Sequence, residues 1–524
     1  MSVVRRLYRV GTLGELMGIH VSVTVLQRSL GLVRVLVLAW MLAPEHMSLW
    51  GLGVMIFTVL GPLMTLGTDS GTERYVSLFE ARGRLKLFYR KMRFGAGALV
   101  LLIGAVLLVN AEYLTVLIIS AGKGVSGVTR ENQVLICWLA LINAMLWALH
   151  LNVLSFLKGM RLYRIVSIVH ILFSVLFTMM AVGVLWVWPT AAAALVTHAA
   201  AIGISLVAAL SFLHFGILLS GGHRRRSRDR RKKPRPGHVD RRAPTPAQKL
   251  PKNLFARLVT FGLISVLGMA LWSANSYISF YMLYRNQELS KSQAGVFFVF
   301  MRLAYPVVLL AQAAWAVLFV HVARRWESGR RDKAMEVLET TYKGIALAIM
   351  TLAVIVYASA PYWVLILKSQ YHRGAGLVGP LMMSSLSVVF MALMTMIARL
   401  RERPAVIAVA AVLSGTANVL LGYAWIGRYG VTGAAYAAGV GMFFGVGVVS
   451  CAFFLISRIR LHWSTIAVLL LPAILLLPPW AAATGWTAVL AVILATPLVF
   501  TNTQKKTLIA GVMTVGKLTR RDAS

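Results

Sequence analysis

Residues His20 to Pro44 read HVSVTVLQRSLGLVRVLVLAWMLAP, an apolar run long enough to cross a bilayer that nevertheless carries Arg28 and Arg34. A guanidinium at membrane depth costs at least ~2.5–3.5 kcal/mol on insertion scales, and such residues usually face a bundle interior or a wet cavity. The stretch thus sets two expectations at once: a membrane helix, and a need for positive charge inside it.

Outward from this stretch, apolar runs of about 17–25 residues recur to the end of the chain. They predict helices over 19–43, 48–70, 95–118, 133–157, 165–188, 191–220, 256–284, 292–321, 344–366, 376–398, 404–426, 430–456, 463–482 and 485–501. With 59% hydrophobic and 13% charged residues, the expected class is an all-α polytopic membrane protein of about 14 transmembrane helices. The basic N-terminus precedes no short apolar segment with a small-residue cleavage site, so the first run reads as a retained helix.

Charge placement supports this count. With the N-terminus in the cytoplasm, 42 of the 53 Lys and Arg fall on inward segments and 7 on outward loops; Arg257 lies at the cytoplasmic end of its span, leaving Arg28, Arg34 and Arg302 deeper within helices. Each inward connection is richer in Lys and Arg than its outward neighbours, as the positive-inside rule requires. Both termini are then cytoplasmic. The formal net charge of +37 is explained by this bias, and no aromatic interleaving or readout motif points to nucleic acid.

The most basic stretch, HRRRSRDRRKKPRPGHVDRRAPTPAQKLPK from His223 to Lys252, contains too little apolar surface for a core and reads as a disordered linker. It is foremost an orientation signal and tether. Anionic inner-leaflet lipids are a weaker expected partner, at about 1 kcal/mol per Lys or Arg near the surface. The linker, taken as 221–255, divides the chain into an N-terminal lobe at 1–220 and a C-terminal lobe at 256–457, followed by two extra helices within 458–501 and a cytoplasmic tail at 502–524. The lobes resemble one another. Ser48, Gly51 and Pro62 fall on Ser292, Gly295 and Pro306 at one offset, with the same hydropathy and a basic inward loop after each. Six helices before each exit point give a parallel repeat, and transporters commonly place substrate near the midplane of a repeat interface.

Arg28 and Arg34 lie six residues apart, roughly 9 Å along a helix and about 120° around it. Snorkelling explains Arg28 more readily than Arg34, which sits deeper. Arg302, in VFFVFMRLAYPVVLL, is the third case, and Met301 and Tyr305 beside it carry no counter-charge. Acids inside the predicted spans are few, so pairing would leave much of the positive charge uncompensated. Such a cavity suits a phosphate or diphosphate, which guanidinium binds through paired, charge-assisted hydrogen bonds.

The remaining features have plainer readings. His150, His170, His198 and His214 lack metal-site spacing and are expected as helix contacts. Gly374-Ala-Gly376-Leu-Val-Gly379 matches the dinucleotide fingerprint in letters but follows no strand. Gly441 and Gly445 form a GxxxG expected at a close helix contact. Cys137 and Cys451 suggest neither disulfide nor metal, and no cofactor is implied. No arrangement for covalent or acid–base chemistry is visible and the outward loops are short, so no enzyme is expected.

In its first twelve predicted helices the chain resembles the multidrug, oligosaccharidyl-lipid and polysaccharide (MOP) exporter superfamily, within it the bacterial polysaccharide-biosynthesis flippases. The resemblance rests on RSLGLVRVLVLAWMLAPEHMSLWGLGV, on LGTDSGTERYVS closing the second helix, and on NVLLGYAWIGRYGVTGAAYAAG in the second half. Arg28, Gly31 and Arg34 match an Arg-x-x-Gly-x-x-Arg pattern of the peptidoglycan-precursor flippases, and Arg302, Leu303 and Pro306 match an Arg-Leu followed by Pro in their eighth helix. The resemblance implies that Arg34 and Arg302, with Arg28 third, contact a lipid diphosphate in a central cavity. Val35, Met301 and Tyr305 stand where those flippases carry acids, which favours another glycan.

The expected activity is therefore translocation of a polyprenyl-diphosphate-linked oligosaccharide across a bacterial inner membrane, with glycan-assembly proteins as further partners. The alternatives are a peptidoglycan-precursor flippase, an exporter served by a cytosolic synthase, and a drug or cation antiporter of the same fold.

Overall fold

The computed structural model describes residues 13–230 and 254–500, except 120–128, 161, 287, 402, 404, 460, 498 and short breaks within 70–83 and 309–329. Of 13–28, 216–230 and 254–265, mostly only the helical backbone is described. The predicted linker, at 231–253, and the tail from 501 lie outside the described residues.

Every regular element among the described residues is helical. In chain order they are α1 (Leu13–Met41), α2 (Pro44–Thr65), α3 (Leu85–Val109), α4 (Arg130–Gly159), α5 (Tyr163–Val187), α6 (Ala191–Arg230), α7 (Leu254–Asn275), α8 (Ile278–Arg285), α9 (Lys291–Ala304), α10 (Arg331–Ala358), α11 (Val378–Leu400), α12 (Ala405–Ile456), α13 (Trp463–Leu470) and α14 (Pro479–Ala495), joined by shorter helical turns. Eight described helical stretches are long and apolar enough to cross a membrane, and shorter apolar helices accompany them. The protein is a multi-pass membrane protein.

Local chemistry sets the helix ends. At the start of α4, the Thr129 hydroxyl accepts from the Asn132 amide at 3.4 Å, and Glu131 and Lys158 stand in the first and last turns, where each complements the helix dipole. α2 stops where Leu66 and Gly67 turn left-handed, at φ 44° and 78°. The Thr65 hydroxyl accepts from the Gly67 amide at 3.2 Å and donates to the Pro62 carbonyl at 2.7 Å, and Thr68 donates to Asn152 on α4 at 2.8 Å. The LGTD sequence is thus a polar knot that ends one helix and ties it to another.

The 52 residues of α12 form two helices folded against each other. Gly430, at φ 57° and ψ −130°, makes the reversal. The two arms then meet so closely that a Cβ on Gly441 would lie 2.7 Å from the Asn418 Cα, and one on Gly445 2.4 Å from the Ser414 Cα. That is the close contact expected of the GxxxG pair, in which small residues let backbones approach. The fingerprint-like glycines occupy a 3₁₀ turn, Ser369–Leu377, and the start of α11, with no preceding strand.

By packing, the chain divides into two compact units, Met1–Gln27 with Gly53–Ala270 and Arg28–Leu52 with Leu271–Ser524. In the first, α4, α5 and α6 pack together. Its core joins Phe79, Phe88, Phe156, Leu157, Ile165 and Leu213, all buried, with Phe79 stacked on Phe88 at 4.5 Å. In the second, α11 and α8 pack on α12, and α14 lies on α10. The segment 28–52, the end of α1 and the start of α2, belongs to this second unit.

Candidate functional site

The chain reverses between α1 and α2 at Leu42 and Ala43, where Pro44 opens the new helix with its φ already suited to it. This corner is clamped from the second half of the chain. Tyr371 donates its hydroxyl to the Leu42 carbonyl at 3.2 Å, and Gly295 of α9 approaches so closely that a Cβ there would stand 1.8 Å from the Pro44 oxygen. Further along, a Cβ on Gly51 would lie 2.8 Å from the rings of both Phe280 and Phe298. The start of α2 thus meets α9 at two places, 44 with 295 and 51 with 298. Gly51 and Gly295, the residues the internal repeat aligns, both lie in this packed seam.

The seam fixes where the candidates Arg34 and Arg302 stand along their helices. Arg34 precedes the end of α1 by seven residues and Arg302 follows Gly295 by seven, so each lies about 10 Å along its helix from the same corner. Both belong to the second compact unit. Arg34 is half-buried, its Nη1 shut off from solvent. Its Nη2 lies 3.6 Å from where a Gly31 Cβ would stand, so the side chain folds back toward the N-terminal turn, as helical side chains do, over a residue with none. Arg28 is on the same helix, and its side chain lies outside the described residues.

Arg302 has a built environment. Its Nη2 donates to the Tyr277 hydroxyl, and its guanidinium carbon sits 5.3 Å from the Tyr277 ring centroid and 5.2 Å from that of Phe298. Cation–π contacts of this kind retain the charge rather than neutralise it. Among the described residues no carboxylate pairs with Arg302. The arrangement is a half-buried cation, held by two aromatic faces and one phenol, with most of its five donors uncommitted.

Tyr277 and Phe298 are residues that sequence reasoning missed. The signal for Tyr277 was the polar run Ser273-Ala-Asn275-Ser276-Tyr277 inside an apolar span, since Ser and Asn compete for backbone hydrogen bonds and loosen helices. The helix does break there, between α7 and α8. Phe298 had no such signal, because only the long-range packing of α9 on α2 distinguishes it from other buried phenylalanines.

Among the histidines, His198 is a helix contact. Its Nδ1 donates to Asn143 Oδ1 at 2.6 Å, and Phe57, Phe173 and Phe177 surround its ring at centroid distances of 4.6, 5.5 and 4.9 Å. His150 is buried beside Trp147.

Comparison with solved structures gives the fold a precedent. An inward-facing multidrug resistance MATE family transporter of the MOP superfamily matches 86% of this chain and 98% of its own at a TM-score of 0.59 and 14% identity. The chain has the MOP-superfamily fold. A lipid II flippase, MurJ, in an inward closed conformation is similar over 87% of this chain and 91% of its own, at a TM-score of 0.58 and 14% identity. A MOP superfamily transporter from Pyrococcus furiosus, described as having a binding pocket of reverse polarity that suggests a different function, is similar over 87% and 95%, at 0.56 and 15%. No protein-family model and no curated protein matches the sequence. The fold is thus one found both in multidrug transporters and in a lipid flippase.

Proposed function

We propose that the protein flips a polyprenyl-diphosphate-linked oligosaccharide from the inner to the outer leaflet of a bacterial cytoplasmic membrane, for cell-surface polysaccharide assembly. Its frame is fourteen membrane helices with both termini in the cytoplasm. Residues 1–220 and 256–457 are six-helix lobes, 458–501 holds two added helices, and the basic linker and the tail face the cytoplasm. Rocking of the lobes exposes the site to each side in turn.

One observation carries the reading: the half-buried Arg302 guanidinium is held by the phenol of Tyr277 and the ring of Phe298, with no carboxylate partner among the described residues. An uncompensated cation there is costly unless a ligand anion completes it. A diphosphate accepts paired hydrogen bonds from guanidinium, and Arg34 at similar depth supplies a second donor. The lipid tail stays in the bilayer while the sugars pass through the cavity. The fold likeness to a lipid II flippase supports a lipid-linked cargo, and Arg28 provides first contact on the cytoplasmic side.

The membrane potential supplies the driving force. One charge crossing the field is worth ~2.3 kcal/mol per 100 mV, and a diphosphate moving outward from a negative interior gains about twice that. Collapsing the potential while keeping the pH gradient should stop flipping, and undiminished flipping would reject this coupling.

The deciding experiment replaces Arg34 or Arg302 by Ala at unchanged protein level and follows the lipid-linked sugar. Accumulation on the inner leaflet is expected, and normal glycan export in both variants would reject the assignment. Resistance to cationic drugs on overexpression would instead mark an antiporter.

A further inference from the structure

We propose that Tyr277 is the positioning residue of this site: it fixes the orientation of the Arg302 guanidinium, and through Arg302 it sets the affinity for a lipid diphosphate. The inference rests on the reading of Arg302 as an anion ligand and adds a residue that no sequence motif assigns.

Tyr277 occupies the break between α7 and α8. Its amide donates to the Ala274 carbonyl at 2.9 Å in a tight turn, and its own carbonyl accepts from the Tyr281 amide at 2.8 Å as α8 begins. The break is anchored on both flanks to α12. Asn275 donates its amide to the Met442 sulfur at 3.2 Å, and Ser279 donates its hydroxyl to Asn418 Oδ1 at 2.6 Å. Asn275 and Ser279 thus face α12, while Tyr277 reaches the other way, to Arg302 on α9.

This geometry holds the phenol rigidly. Tyr277 is only 3% exposed; its oxygen accepts from Nη2, and its ring centroid lies 5.3 Å from the guanidinium carbon. Phe298 supplies the second face, itself pressed against Gly51. A guanidinium clamped by two rings and one acceptor cannot swing, so its remaining donors keep a fixed direction before the ligand arrives. Pre-organisation of this kind raises affinity by cutting the ordering cost of binding. Removing the hydroxyl alone keeps the ring contact and frees the edge, which separates positioning from packing.

The test is a titration of undecaprenyl diphosphate onto the full-length protein in lipid nanodiscs, read by native mass spectrometry, for wild type, Tyr277→Phe, Arg302→Ala and the double variant. Tyr281→Phe, which loses a hydroxyl bound to Arg285 on the exposed face of α8, is the control. Tyr277→Phe should bind five- to tenfold more weakly with an unchanged melting temperature, Tyr281→Phe should bind as wild type, and the double variant should match Arg302→Ala. If Tyr277→Phe fails to fold, Tyr277→Met, which fills a similar volume without the acceptor, carries the test and should weaken binding at least as much. Wild-type affinity in Tyr277→Phe alongside a loss in Arg302→Ala would overturn the positioning role and leave the anion site standing. A further loss when Tyr277→Phe is added to Arg302→Ala would overturn it too, because the tyrosine would then act independently of the arginine. Unchanged binding in Arg302→Ala would reject the anion site itself.

Discussion

Each compact unit sets a polar side chain among aromatic rings, fully buried in the first and half-buried in the second, and the two do so in opposite ways. In the first unit, His198 donates to Asn143 at 2.6 Å, and the Asn143 amide in turn donates to the Leu139 and Leu195 carbonyls at 2.8 and 3.1 Å. Donors and acceptors match, and three phenylalanines close the cluster. In the second, Arg302 brings five donors to one phenol and two rings. A matched network stabilises a fold, whereas an excess of charged donors is what the proposed anion site requires.

Substitutions that break the comparison follow from this difference, and the largest effect belongs to Arg302. Arg302→Ala should lower glycan export about a hundredfold, the scale of losing a paired charge-assisted contact, while the melting temperature holds. A collapse of folding with normal transport per molecule would make Arg302 structural, like His198. Next comes Gly295→Ala, whose Cβ would stand 1.8 Å from the Pro44 oxygen. Overpacking of this kind costs about 1–3 kcal/mol, and because Arg34 and Arg302 stand on the helices that meet at this seam, thermal melting and transport per molecule should both fall. A melting change alone would reduce the seam to scaffold.

Asn143→Leu tests the matched side. It removes the acceptor of His198 and should cost about 1–2 kcal/mol in a chemical or thermal melt, with transport per folded molecule unchanged. Altered transport there would extend the site into the first unit. Ser279→Ala is the smallest, at roughly 0.6 kcal/mol, a typical interhelical hydrogen bond in a membrane. Its melting shift measures how firmly the α7–α8 break is held on α12.

Much of this was legible in the sequence because the bilayer constrains composition locally. An apolar run that crosses lipid must be a helix that satisfies its own backbone. Arg34 and Arg302 stood out for the same reason, since lipid penalises a guanidinium whatever its neighbours are. The polar WSANSY run already held the reason for the break after α7, but not its use.

Tertiary structure alone decided which side chains meet. That residues 28–52 pack with the second unit, that Gly51 and Gly295 lie in one seam, and that Tyr277 turns to Arg302 while Asn275 and Ser279 turn to α12 all depend on contacts between segments far apart in the chain. Composition reports what the solvent will tolerate at each depth; complementarity of packed helices chooses the partners, and that choice is written in no single stretch.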